Sequence, residues 1–185
     1  MKIAITGHSA GIGKSFTSLL ESRGHQVIGL SRRNGKNIRS LHKILGDIID
    51  CDMFINNAQE GFAQTELLYK VWHQWRDKDK LIWIIGSLIS TNSKVDENLE
   101  EYKLQKQTLD QAFINLKNQP SKCKLVIIRP GVVATQPHNN VGIDSADVDA
   151  WTKTICDMWD SSVKNNLYLQ EISLRFKKGL MQIGS

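Results

Sequence analysis

The sequence is poor in cysteine and has no long apolar run. Cys51, Cys123 and Cys156 are widely spaced and odd in number, and none forms a Cys-x-x-Cys pair. That pattern excludes a disulfide framework and a cysteine-based zinc site. No stretch stays apolar for the ~20 residues that a membrane-spanning helix needs, so no membrane partner is expected. A signal-peptide pattern is missing too, because residues 2–5 lead straight into a glycine-rich segment. A reducing, cytoplasmic setting is the expectation. The formal charge of +5 is spread along the chain without a basic stripe and interleaved aromatics, so nucleic acid is not an expected partner. His8, His25, His42, His73 and His138 do not cluster with carboxylates, and no metal is expected. The chain of 185 residues is long enough for one domain with a real core, taken as residues 1–185.

What is present begins at the N-terminus. Lys2-Ile3-Ala4-Ile5 reads as a buried strand. Gly7, Gly11 and Gly13 follow, then a helical segment with Ile12, Phe16, Leu19 and Leu20 on one face. Gly24 ends that helix as a C′ residue. Strand, glycine turn and helix in that order form an anion site: glycine lets the backbone approach a ligand, and the helix N-terminus offers free N–H groups and partial positive charge. A P-loop needs four residues between its first Gly and the Gly-Lys-Ser/Thr triplet. Here five separate Gly7 from Gly13, before Lys14-Ser15. The pattern Thr6-Gly7-x-x-x-Gly11-Ile12-Gly13 resembles the cofactor loop of the classical short-chain dehydrogenase/reductase family. The resemblance implies cofactor contacts at Thr6, Gly7, Ser9, Gly11, Ile12 and Gly13.

Residues 26–31 read as a second strand ending at Ser31-Arg32-Arg33. In a dinucleotide fold this end faces the adenosine ribose, where an acid pairs with a free 2′-hydroxyl and an arginine accommodates a 2′-phosphate. Two arginines and no acid favour NADP(H), with NAD(H) left open. After the Asn34-Gly35 turn, residues 36–38 are expected to form a very short third strand, and the resemblance places Asn37 and Ile38 against the adenine. Ser40 is the expected cap of a helix over residues 41–49. A strand over residues 51–55 then leads to Asn56-Asn57-Ala58-Gln59. This is similar to the family's Asn-Asn-Ala-Gly turn with Gln59 in place of glycine, and it puts Asn57 and Ala58 at the cofactor. A helix over residues 65–75 packs Leu67, Leu68, Val71, Trp72 and Trp75 inward. The family's helix usually carries an asparagine that completes a proton relay through water. No asparagine occurs between Asn57 and Asn92, which implies an altered relay.

The clearest buried strand is residues 81–85, followed by Gly86-Ser87. Fifteen residues later comes Tyr102-Lys103-Leu104-Gln105-Lys106, within a helix expected over residues 98–117. Tyr102 and Lys106 stand at i and i+4 and share a face. A free tyrosine has a pKa near ~10. An adjacent ammonium favours the phenolate and brings Tyr102 toward neutral working pH. Ser87 is placed to bond a substrate carbonyl oxygen. Order and spacing resemble the family's Ser…Tyr-x-x-x-Lys triad. The resemblance implies that Ser87, Tyr102 and Lys106 are catalytic and that Tyr102 and Lys106 also contact the cofactor, with Lys106 on the nicotinamide ribose.

A strand over residues 124–128 ends in Arg129-Pro130-Gly131-Val132-Val133-Ala134-Thr135. This is similar to the family's Pro-Gly turn with its threonine, implying cofactor contacts at Pro130, Gly131, Val133 and Thr135. Residues 136–145 are short where the family inserts a long substrate loop, so an open substrate site is expected. A helix from Asp147 carries Val148, Trp151, Ile155, Met158 and Trp159 as core, and residues 167–174 read as a last strand. The expected fold is a Rossmann-type, doubly wound α/β domain with a parallel sheet and helices on both faces. The expected function is hydride transfer between NADP(H) and a small-molecule carbonyl or alcohol. The resemblance adds a homodimer or homotetramer. Two alternatives stand beside it: a dinucleotide-binding regulator without turnover, and a P-loop nucleotide hydrolase.

Overall fold

The computed structural model describes residues 1–135 and 145–175. The segment after Thr135, including His138, and the last ten residues lie outside the described residues. In chain order the elements are β1 (Lys2–Thr6), α1 (Gly11–Ser22), β2 (Gln26–Leu30), α2 (Leu41–Ile49), β3 (Met53–Asn56), α3 (Ala63–Trp75), β4 (Leu81–Ile85), α4 (Glu97–Lys117), β5 (Lys124–Pro130), α5 (Val148–Lys164) and β6 (Glu171–Leu174). The strands form one sheet in the order β2-β1-β3-β4-β5-β6, and every pairing is parallel. Parallel neighbours need crossovers, and the helices supply them. The chain first winds outward from β1 to β2. It then returns to the other side of β1 and continues through β3 to β6. The carboxyl ends of β1 and β3 therefore diverge at the crevice where α/β sheets bind ligands.

Burial on both sides explains the apolar strands. On one face α2, α3 and α4 cover the sheet, with Trp72, Trp75 and Phe113 fully buried among Phe54, Ile82 and Ile84. On the other, α1 and α5 cover Ile5, Ile55, Trp83 and Val126. Trp83 meets Phe16 edge-on at 5.8 Å and Trp159 at 5.6 Å between ring centroids.

Four expectations change. Residues 36–38 form no strand. The Asn37 side chain accepts the Arg39 N–H, and the Ser40 N–H donates to the Asn37 carbonyl, so local polar bonds win over sheet pairing. Ser40 stands at the start of α2 but makes no side-chain cap bond. The last strand is only Glu171–Leu174. Leu167 and Tyr168 are substantially exposed, and the Tyr168 hydroxyl donates to the Leu125 carbonyl. Met158 also faces outward on α5, whereas Trp151 and Ile155 are buried as expected.

Trp83→Ala opens a cavity between the sheet, α1 and α5. A stability loss of about 3–5 kcal/mol is expected, against less than about 0.5 kcal/mol for Leu104→Ala on the exposed side of α4. Equal denaturation midpoints for the two variants would contradict the packing described.

Candidate active site

The site starts where β1 ends. Gly7 has φ 72°, a left-handed conformation that favours glycine. A Cβ on Gly13 would lie 2.3 Å from the Gly7 carbonyl oxygen, so only glycine lets the turn fold back onto the helix. The N-cap of α1 is Ala10, which makes no side-chain cap bond. The first-turn amides therefore lack the capping oxygen that Ser or Asp would supply, and an anion can take that place. Thr135 comes against this turn: a Cβ on Gly11 would approach its Cβ to 3.0 Å. A cavity of about 650 Å³ opens between α1 and α5, lined by Gly11, Lys14, Ser15, Thr135, Asp149 and Lys153 among others. It adjoins the glycine turn, and neither Ser87, Tyr102 nor Lys106 lines it.

Thr6 is fully buried and builds the floor of the crevice. Its hydroxyl accepts the N–H groups of Asn57 and Ala58 at 2.9 and 3.0 Å, and the Asn57 side-chain amide donates to the Thr6 carbonyl at 2.9 Å. The loops after β1 and β3 are thereby joined. Arg32 and Arg33 are exposed in a single turn beyond β2. Ser31 is buried, and its N–H is taken by the Asn34 side chain. Asn37 spends its side-chain oxygen on the local turn, and Ile38 is packed into the core under α2 and α3. Pro130 ends β5, the Gly131 N–H bonds the Leu174 carbonyl, and Val133 pairs as an isolated bridge with Ala146. Ser15 turns its hydroxyl to Asp149 and Thr152 at 2.5 and 2.6 Å, which removes it from the role that a P-loop serine has on a phosphate-bound metal.

Ser87 follows β4 directly and starts a short turn, where its hydroxyl accepts the Ile89 N–H at 3.3 Å. Its side chain is close enough to Tyr102 to favour the ionised phenol. Tyr102 and Lys106 share one face of α4, and the Lys106 ammonium lies 5.7 Å from the Tyr102 ring centroid. The fold thus gathers all three side chains of the expected triad. Their electrostatics differ from expectation. Burial pushes the Tyr102 hydroxyl above its usual value, and the nearby Ser87 side chain only partly offsets it. Burial likewise drives Lys106 down to about 7, opposed by the charge of Asp110. The ammonium sits over the ring face rather than at the hydroxyl, so the expected lowering of Tyr102 does not emerge from the protein alone.

Neighbours that the sequence reading left out surround this triad. Gln64, in the first turn of α3, accepts a proton of the Lys106 ammonium at 2.9 Å, and the Ile85 carbonyl accepts another at 3.0 Å. Gln59 donates to the Gln105 side chain, which donates on to Glu101 at 2.8 Å. Asp110 accepts from Ser90 at 2.7 Å and from Arg129 at 3.0 Å, and Arg129 also reaches Glu171 at 2.9 Å. A signal for Gln64 existed in its place, eight residues beyond Asn56, but nothing in a single glutamine reveals a buried lysine partner.

Comparison with known proteins places the fold. Residues 3–73 match the NAD dependent epimerase/dehydratase family model. No curated protein matches the sequence. A short-chain dehydrogenase/reductase from Vibrio parahaemolyticus superposes with a TM-score of 0.72 at 15% identity, covering 95% of this chain and 100% of that one. A short-chain dehydrogenase from Burkholderia cenocepacia, in complex with NADP, gives 0.68 at 12% identity, covering 94% and 87%. The 3-alpha-hydroxysteroid dehydrogenase from a Pseudomonas species, complexed with NADH, gives 0.64 at 16% identity, covering 95% of each chain. The chain carries the fold of the short-chain dehydrogenases/reductases.

Proposed function

We propose that the protein is an oxidoreductase that interconverts a carbonyl and an alcohol with NADP(H). The observation that carries this reading is the meeting of Ser87, Tyr102 and Lys106 beside β4 in a fold whose crevice ends in an uncapped helix N-terminus. The dinucleotide, held at the glycine turn, supplies or accepts the hydride. The α1 amides would face its pyrophosphate, with Lys14 and Lys153 adding positive charge nearby. Thr135 adjoins the same turn, and the Pro130-Gly131 turn and Val133 complete the nicotinamide end. The exposed Arg32 and Arg33, with no acid beside them, suit a 2′-phosphate. Ser87 holds the substrate oxygen, and Tyr102 gives its proton to that oxygen during reduction. Lys106 as an ammonium stabilises the phenolate left behind. A homodimer or homotetramer and a cytoplasmic setting accompany this reading, the latter suiting three buried free thiols.

A dinucleotide-binding regulator without turnover is the second reading. It is favoured by the inward-held Lys106 ammonium, which already has two protein acceptors. Tyr102→Phe separates the two. Its expected effect is loss of turnover by a factor of ~100 or more with cofactor binding retained; in a regulator, no activity exists to lose. Arg32→Ala with Arg33→Ala is expected to weaken NADPH binding about tenfold or more and leave NADH nearly unchanged, measured by energy transfer from tryptophan. Equal losses for both cofactors would refute the 2′-phosphate role. The kcat/KM of reduction is expected to decline as pH rises through about 7, where Lys106 loses its proton in the free enzyme. A profile flat to pH 9 would remove Lys106 from the mechanism.

A further inference from the structure

We infer that Gln64 is the positioning residue for Lys106, clamping its ammonium from inside the protein where a solvent-linked contact would otherwise be needed. The role in turnover rests on the oxidoreductase reading; the clamp itself does not.

The geometry is closed on all sides. Lys106 is almost wholly buried, and so are Gln64 and Asn56. The Gln64 side-chain nitrogen donates to the Asn56 carbonyl at 2.8 Å and to the Ile85 carbonyl at 3.0 Å. Both of its protons are thus used, so its oxygen can only face Lys106, which it meets at 2.9 Å. The Asn56 side chain donates back to the Gln64 carbonyl at 2.9 Å and fixes the first turn of α3. The Ile85 carbonyl accepts from both Gln64 and Lys106. Strands β3 and β4 and helices α3 and α4 therefore converge on one ammonium. An ammonium has three donors, and two are taken by protein. One is left for the Tyr102 side or for a ribose.

Among the described residues, the charged and titratable groups around Lys106 are few. From α4 come Tyr102 and Asp110. From β5 comes Arg129, which engages Asp110. From α3 comes only the uncharged Gln64, and from β4 only a carbonyl. A neutral amide in that place holds the ammonium without neutralising it. It leaves the lysine charge available to Tyr102 while burial keeps its proton affinity low.

The test uses full-length protein carrying lysine labelled with carbon-13 at Cε, with Lys106→Arg identifying the resonance. Lys106 is expected to titrate near about 7, apart from surface lysines near ~10.4. Gln64→Glu is expected to move it up by about one to three units. Gln64→Met, which removes the acceptor, is expected to move it down. Opposite shifts are the signature of a specific clamp, because simple loosening would let Lys106 relax upward in both variants. Both moving up together, or neither moving, overturns the assignment. Thermal melts confirm folding, and if the methionine variant does not fold, Gln64→Asn, whose shorter amide withdraws the acceptor from Lys106, is read in its place with the same downward shift expected. The pH at which kcat/KM falls is expected to follow the lysine in each variant. If the lysine shifts as stated but neither NADPH nor NADH binds, the clamp stands and the oxidoreductase reading fails.

Discussion

The bonding of Thr6 to the loop after β3 is the constraint on which the site depends. Two strands that end side by side must send their chains in different directions, and the crevice between them would otherwise expose unpaired backbone. The buried Thr6 hydroxyl answers this by accepting two N–H groups from Asn57 and Ala58. The Asn57 amide in turn lies where a Cβ on Gly7 or Gly13 would intrude, at 2.9 and 2.7 Å. Glycine at both positions and Asn57 across from them are thus one device. It fixes the start of α1, and with it the direction in which the free amides point.

Chemistry at the other end of the crevice is governed by a contest between burial and charge. Burial raises Tyr102 and lowers Lys106, and each shift favours the neutral form. The charge of Asp110 opposes it at Lys106, whose ammonium donates to Gln64 and the Ile85 carbonyl, and the Ser87 side chain opposes it at Tyr102. At neutral pH the outcome is a neutral phenol beside an amine poised near its own titration point. An amine near its titration point beside a neutral phenol can exchange a proton at neutral pH.

Much of this was legible in the residues. The strand, glycine turn and helix at the N-terminus were readable because each carries a local signal: β-branched apolar residues, three glycines and a 3.6-residue apolar repeat. The Ser87, Tyr102 and Lys106 cluster was readable because Tyr102 and Lys106 lie one helical turn apart and Ser87 follows an unmistakable buried strand. The third strand was misread because Lys36-Asn37-Ile38 carries no information about the Asn37 turn that competes with pairing. Gln64, Asp110 and Arg129 were not legible because their partners are remote in sequence. Gln64 meets Lys106 across forty-two positions and Arg129 meets Glu171 across the same number. Long-range polar pairing leaves no periodicity to read.

The Arg129 bridge gives the order of assembly a functional meaning. Its guanidinium holds Asp110 on the Lys106 helix with one edge and Glu171 on β6 with another. During synthesis α4 and β5 emerge well before β6. Until Glu171 arrives, Asp110 is the one acidic partner of Arg129 among the described residues, and the pair is held from one side only. Docking of the final strand therefore completes the electrostatic setting of a lysine sixty-five positions earlier in the chain. A nascent chain can close the crevice built from β1 and β3 long before it completes the setting of Lys106.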